Sequence, residues 1–259
     1  MTTTNTQVSV LVKTVPELYQ DLLAEKEMLI LDVRHPDEFE RWHIEGSAAL
    51  QIINIPYTTF GEDADEAIAK LPSTSATQDI LVVCAKENSS EFIAELLQDY
   101  GLKASYLQGG MPAWGDYYDI RTVVNESFGQ IVQVSRPARG DLSFVIISQG
   151  KAAIVDPLRH INHYSQVLKD NQATLTHIFD THGHADHISG GPMLAAENKA
   201  GYYLHPYDGI HPIDMLPAKV DYIPLSDGQS FTVGQFAVTA IWFRSEERRV
   251  GKECRSRWS

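Results

Sequence analysis

A chain of 259 residues with 34 acidic against 21 basic side chains carries a formal net charge of −13, which argues against a nucleic-acid phosphate backbone as its partner. No apolar run approaches the roughly 18 residues that a membrane span requires, and the start, Met1-Thr-Thr-Thr-Asn-Thr-Gln7, lacks the basic-then-apolar order of a leader. The expectation is a soluble cytoplasmic protein of one large or two ordinary domains, with neither nucleic-acid nor membrane partners.

The first half alternates strands with helices. An apolar strand over Val8 to Val12 leads into Thr14-Val15-Pro16-Glu17, a capping box with proline in the first turn, and a helix to about Ala24. Met28 to Val33 reads as a short buried strand and Pro36 to Trp42 as a helical turn. Ile80-Leu81-Val82-Val83 is another buried strand, and Glu91 to Tyr100 an amphipathic helix closed by Gly101. The alternation predicts a mostly parallel sheet covered on both faces.

The pattern then changes. Gln130 to Ser135, Leu142 to Ser148 and Ala152 to Val155 read as strands joined by Arg-Pro-Ala-Arg-Gly-Asp and Gln-Gly-Lys turns, an antiparallel meander. No Pro/Gly/Ser linker marks the junction. The change of pattern alone places a first domain over residues 1–118, a linker over 119–128 and a second domain over 129–243.

Cys84 stands at the carboxyl end of a predicted central strand, followed by Ala85-Lys86-Glu87-Asn88-Ser89 and a helix expected to begin near Ser90. Open α/β sheets place ligands there. A loop of that length can turn successive backbone N–H groups inward, and the helix N-terminus adds positive potential. Both favour a thiolate or persulfide anion, with Lys86 as a further cation; the alternative is a buried structural cysteine. Leu31-Asp32-Val33-Arg34-His35-Pro36-Asp37-Glu38-Phe39, His43-Ile44-Glu45-Gly46-Ser47 and Leu107-Gln108-Gly109-Gly110-Met111-Pro112-Ala113-Trp114 bear on that choice. Together they resemble the signatures of a rhodanese domain over about residues 8–118. The resemblance implies Cys84 as the sulfur-accepting nucleophile, Ala85, Lys86, Glu87, Asn88 and Ser89 as its cradle, and structural roles for Asp32 and Arg34. Two positions depart from the family: Ser89 stands where Arg is frequent, and Glu87 where many members have a small residue. A negative charge at Glu87 works against an anionic donor such as thiosulfate. The related phosphatases need a loop one residue longer ending in Arg, and Ser90 occupies that place.

Thr176 to Phe179 reads as a buried strand, and Thr181-His182-Gly183-His184-Ala185-Asp186-His187 follows it with three imidazoles and a carboxylate. Residues two apart at the mouth of a strand point the same way, so His182 and His184 can face one metal ion. Asp186 and His187 can face the same ion or a neighbour. With Ala153-Ile154-Val155-Asp156-Pro157 before it, Ile188-Ser189-Gly190-Gly191 after it and Leu225-Ser226-Asp227-Gly228-Gln229 beyond, the segment resembles the metallo-β-lactamase superfamily. The likeness is greatest to its persulfide dioxygenase branch and runs from about Gln130 to Phe243. His205 and His211 read either as surface loop histidines or as lining of a substrate mouth.

Residues 244–259 are similar to the in-frame translation of a sequencing-library adapter and are excluded from fold reasoning as a non-native tail. They carry six basic and three acidic residues, so the remainder has 15 against 31 and a net charge of −16. One thiol, Cys84, then remains; it cannot form an internal disulfide and suits a reducing cytosol. In the superfamily, the strand corresponding to Phe236–Phe243 leads to further metal ligands that have no counterpart here. In the dioxygenase branch, His182 would be the only ligand of the mononuclear iron contained in this fragment. A truncated sandwich, inactive as a metal enzyme, with the apolar strand faces of 142–155 and 236–243 uncovered, is the corresponding expectation.

The expected fold class is α/β: a rhodanese-like parallel-sheet domain followed by the first part of a metallo-β-lactamase αββα sandwich. The expected function is rhodanese-type sulfur transfer through a Cys84 persulfide, with glutathione persulfide or thiosulfate as donor and glutathione or another small thiol as acceptor. In a complete protein this would be coupled to Fe(II)-dependent oxidation of glutathione persulfide to sulfite, a role in sulfide detoxification. One alternative is a Zn(II)-dependent thioester hydrolase of the glyoxalase II kind with an accessory rhodanese module. Another is a non-catalytic sulfur carrier.

Overall fold

The computed structural model describes residues 10–183, 189–206 and 221–242; the tail at 244–259 lies outside them. The chain divides into two compact units, one of residues up to Asp119 together with Arg136–Gly140, the other of Ile120–Ser135 and the residues from Asp141 onward.

The first unit runs β1 (Leu11–Lys13), α1 (Val15–Leu23), β2 (Met28–Asp32), α2 (Pro36–Arg41), β3 (Leu50–Asn54), α3 (Tyr57–Glu62), α4 (Ala64–Ala69), β4 (Ile80–Val83), α5 (Glu87–Asp99), β5 (Ala104–Leu107) and α6 (Gly110–Gly115). The strands form one sheet in the order β1-β5-β4-β2-β3. Every pair in it is parallel. All five residues of β2 and all four of β4 are buried, the uninterrupted apolar pattern that a strand covered on both faces requires. Alternation along these strands sorts two cores. Leu29, Leu31, Ile80 and Val82 pack with Ile93 and Leu97 of α5. Met28, Ile30, Leu81 and Val83 pack with Leu18, Leu107 and Trp114 on the other face. Each such aliphatic side chain removed from water contributes roughly 1.5–3 kcal/mol.

Local signals end the helices where the sequence indicates. The Thr14 hydroxyl accepts from Glu17 N–H while the Glu17 carboxylate accepts from Thr14 N–H at 2.8 Å, which completes the capping box of α1. At the other end of α5, Gly101 has φ +80°, its N–H reaches Gln98 O at 2.8 Å, and Leu102 N–H reaches Leu97 O at 3.0 Å. This paired closure needs the left-handed residue that glycine supplies. The start of α5 differs from expectation: it begins at Glu87, not near Ser90, so the loop after Cys84 shrinks to Ala85 and Lys86. Polar residues in a first helical turn carry no apolar periodicity, which is why the sequence pattern hid that turn.

At the carboxyl end of β2, Asp32 is 1% exposed and Arg34 7%. The guanidinium meets the carboxylate through Nε at 3.0 Å and Nη2 at 2.6 Å, and Nη2 also donates to Trp42 O at 2.7 Å. Asn54 Nδ2 donates to the Asp32 and Arg34 carbonyls, which ties the end of β3 to the same point. Removing one partner leaves a buried charge without its counterion. Arg34→Ala is therefore expected to cost the first unit about 3–5 kcal/mol, read as accelerated amide exchange throughout β2 and β4.

The second unit continues with β6 (Asp119–Glu126), β7 (Gly129–Arg136), β8 (Asp141–Ser148), β9 (Lys151–Val155), α7 (Asn162–Asp170), β10 (Thr174–Asp180), α8 (Gly191–Asn198), β11 (Gly201–Leu204), β12 (Ile223–Pro224), β13 (Ser230–Val233) and β14 (Phe236–Thr239). Seven strands form a sheet in the order β12-β11-β10-β9-β8-β7-β6. β8 and β9 pair antiparallel, whereas β9 to β12 pair parallel. The antiparallel hairpin of β13 and β14 sets Phe231 edge-on to Phe179 and Tyr203, at ring distances of 4.9 Å each.

Two expectations are corrected here. The segment 119–128 is not a linker, because its first eight residues form β6, an edge strand whose Ile120 and Val123 stay exposed. A strand with so little buried face lacks the alternation that betrays its neighbours. The strand faces of 142–155 are not bare either: Val145, Ile147 and Ala152 to Ile154 are buried. Of residues 236–242 none is buried, and Ile241 and Trp242 are exposed.

His177 stacks against Phe179 and Tyr203 on the hairpin side of the sheet. Burial, and then the charge of Lys151, holds its ring below the usual histidine value of 6.5. His163 is lowered likewise, by burial and then by His160. The unfolded chain binds protons that these folded rings refuse, so the second unit should lose stability as pH falls from 6.5 through their lowered folded values. His177→Phe should make the midpoint of thermal unfolding less acid-sensitive, and an unchanged slope would discount the ring.

Candidate functional site

Cys84 follows β4 directly and continues the face of Ile80 and Val82, so its side chain points toward α5. It is 3% exposed, while Ala85, Lys86 and Asn88 beside it are exposed. Cys84 Sγ donates to Ser90 Oγ at 3.3 Å, and Ser90 Oγ donates its own proton to Glu87 O at 2.8 Å. The hydroxyl is thus an acceptor toward the thiol, and rotating it would make it a donor to a sulfur anion. The first-turn N–H groups of α5, at Glu87, Asn88 and Ser89, have no partner within the helix and carry its positive end. On the other side, Met111 N–H donates to Cys84 O at 2.9 Å. Gly110 has φ +59°, and a Cβ there would lie 2.6 Å from Cys84 O, so this close approach needs glycine.

The cradle of Ala85, Lys86, Glu87, Asn88 and Ser89 is therefore a short bend plus a helix N-terminus. Glu87 heads the row Glu87, Glu91, Glu95 along α5, and burial together with these carboxylates pushes the Tyr106 phenol upward. Ser90 was outside the sequence reading as a sulfur contact; its spacing of six from Cys84 becomes informative only once the helix is known to start at Glu87. Glu87→Gln should raise kcat/KM for an anionic sulfur donor by about two- to fivefold at low ionic strength. The gain should shrink with added salt.

The second cluster sits at the carboxyl end of β10. Thr181 N–H and Oγ1 donate to the two Asp156 oxygens at 2.7 and 2.8 Å, and Thr181 Oγ1 lies 2.9 Å from His182 Nδ1. A hydroxyl has one proton, and here the carboxylate takes it. Nδ1 must then donate to Thr181, which leaves the lone pair of the neutral ring on Nε2. His182 is exposed, and an imidazole so oriented has the chemistry of a metal ligand. His184, Asp186 and His187 lie outside the described residues, as does His211. His205 stacks on Trp242 at 5.5 Å and, with Phe179, Asp180, Thr181 and Asp227, lines a cavity of about 310 Å³. Asp156 was legible only as part of a motif; its φ of +51° and its grip on Thr181 come from the turn after β9.

A parallel five-stranded sheet with a cysteine at the mouth of its central strand, and a mixed sheet bearing histidines at a strand mouth, define two enzyme folds in one chain. Residues 15–117 match the Rhodanese-like domain, and residues 137–240 match the Metallo-beta-lactamase superfamily. The chain is 30% identical over 99 residues to thiosulfate sulfurtransferase GlpE of Pseudoalteromonas translucida (strain TAC 125), covering 38% of this chain and 83% of that protein. It is 28% identical over 113 residues to adenylyltransferase and sulfurtransferase uba4 of Sclerotinia sclerotiorum (strain ATCC 18683 / 1980 / Ss-1), covering 39% of this chain and 23% of that protein. Among solved structures, ETHE1 from Myxococcus xanthus is similar at 22% identity and a TM-score of 0.32, with 46% of this chain and 45% of that chain covered. The chain spans less than half the length of the last two. It belongs to the rhodanese sulfurtransferase family through its first unit, and its second unit has the metallo-β-lactamase fold.

Proposed function

We propose that the protein transfers sulfane sulfur through a persulfide on Cys84 and hands it to a small thiol, and that in a complete protein the second unit would oxidise the resulting persulfide. The observation that carries the first part is a buried thiol between a helix N-terminus and a reorientable hydroxyl, at the mouth of a central parallel strand. Thiosulfate, named in the activity of the Pseudoalteromonas relative, suits such a site as donor. The Cys84 thiolate attacks the outer sulfur, the S–S bond breaks, and sulfite leaves with the electron pair. The persulfide anion then rests against the N–H groups of the first turn of α5 and the Ser90 hydroxyl. A thiolate such as that of glutathione attacks the outer sulfur and releases Cys84 as thiolate, so no oxidant is consumed.

For the second unit, the residues that would hold a metal are His182, with His184, Asp186 and His187. The Asp156–Thr181–His182 hydrogen bonds leave Nε2 as the donor atom, which fits a divalent ion. Fe(II), when bound, supplies the one-electron chemistry by which a persulfide, O₂ and water yield the thiol, sulfite and two protons. Thr181 and Asp156 keep the His182 ring in one tautomer, and the neighbouring cavity, largely apolar, offers room for the persulfide.

Incubation with thiosulfate should add the mass of one sulfur atom to the wild-type chain, removable by glutathione. Cys84→Ser should show neither the adduct nor turnover, and transfer near the wild-type rate in this variant would rule the mechanism out. Anaerobic loading with Fe(II), followed by O₂ uptake with glutathione persulfide, tests the second unit. Tight zinc with thioester cleavage would instead assign it to the hydrolases.

A further inference from the structure

We propose that Gly110 is a positioning residue for sulfur transfer: lacking a side chain, it lets α6 close on the Cys84 carbonyl and so fixes the direction in which the sulfur is presented. This role rests on the Cys84 persulfide proposed above. The ladders that hold β4 stop short of the cysteine, at Val83 toward β2 and at Val82 toward β5. Cys84 therefore stands past the last paired residue on either side, and its carbonyl accepts from Met111 N–H of α6 at 2.9 Å. Met111 is 2% exposed and Trp114 3%, and both pack with Leu18, Val83 and Leu107. α6 is thus anchored in the core on the face of the sheet away from α5, where it takes the place of a strand partner for the cysteine. Carbonyl and side chain leave the same residue. Holding the carbonyl to α6 also sets where Sγ points, which is toward Ser90 Oγ at 3.3 Å.

Gly109 and Gly110, with φ of +70° and +59°, are two consecutive left-handed residues that turn the chain from the end of β5 into α6. A Cβ on Gly110 would lie 2.6 Å from Cys84 O, 3.5 Å from Cys84 C and 3.6 Å from Ala85 C. All three atoms are backbone around the Cys84–Ala85 peptide, which cannot swing aside as the end of a long side chain can. A side chain at this position must therefore push that peptide. Only Ala85 and Lys86 separate Cys84 from α5, so the displacement reaches both Sγ and the first-turn N–H groups that face it.

The test compares the full wild-type chain with Gly110→Ala and with Gly101→Ala. Gly101 is also left-handed, with φ +80°, but a Cβ there has nothing within 4 Å, so this variant carries the backbone strain without the contact. Gly110→Ala should lower kcat with thiosulfate by about 10- to 100-fold, as a misplaced reacting group does, and change KM by no more than about twofold. It should also shift the amide resonances of Ala85 and Ser90. Gly101→Ala should keep kcat within about twofold of wild type and leave those resonances in place. Gly110→Asn has the same Cβ on a residue that enters the left-handed region more readily, and it replaces the alanine variant if that one does not fold. An equal loss in the Gly101 and Gly110 variants, or wild-type kcat in a folded Gly110 variant, would overturn the assignment. Failure of both Gly110 variants to fold would overturn it too, making the glycine a requirement of folding alone. If the wild-type chain transfers no sulfur, the Cys84 reading fails separately. The resonances then decide: a shift confined to the Gly110 variants retains α6 as the holder of the Cys84–Ala85 peptide, and no shift rejects it.

Discussion

Parallel pairing on both sides of a central strand leaves its carboxyl end as the place where backbone groups and side chains converge without being absorbed by the sheet. β4 between β2 and β5, and β10 between β9 and β11, are both such strands. The chain must leave each of them into a connection that returns along a helix, and the N-terminus of that helix points back toward the strand mouth. Cys84 and His182 occupy these two mouths. Their chemistry differs, but the constraint that places them there is the same.

Each mouth is stiffened by polar groups that hydrogen-bond across neighbouring elements. In the first unit the Asp32–Arg34 pair and Asn54 anchor the ends of β2 and β3, next to β4. In the second, Asp156 holds Thr181 and Tyr202 holds Asp180. Such pairs add less to stability than their Coulomb energy suggests, because burial removes their hydration. Their value here is geometric: they fix backbone and ring orientations that apolar packing alone would leave to several rotamers.

Coupling a sulfurtransferase to a metal-dependent oxidation, as proposed above, has a chemical logic. A persulfide is reactive toward any thiol, and a chain that both makes and consumes it limits the exposure of that species.

Alternation of buried strands with helices, the capping box at Thr14, the glycine closure at Gly101 and the two motif-bearing strand ends were legible from residue order, because each depends on neighbours within a few positions. The edge strand β6 was not, since an exposed edge buries too little to show a period. Nor was the early start of α5, whose polar first turn carries no apolar signature. The contacts of Ser90 with Cys84, Thr181 with Asp156 and Tyr202 with Asp180 join residues 6, 25 and 22 positions apart. Residue order determined which chemistries the chain carries. Only tertiary structure decided which hydroxyls, carboxylates and rings serve them, because hydrogen-bond direction and tautomer are set by partners that strand pairing and helix packing bring together.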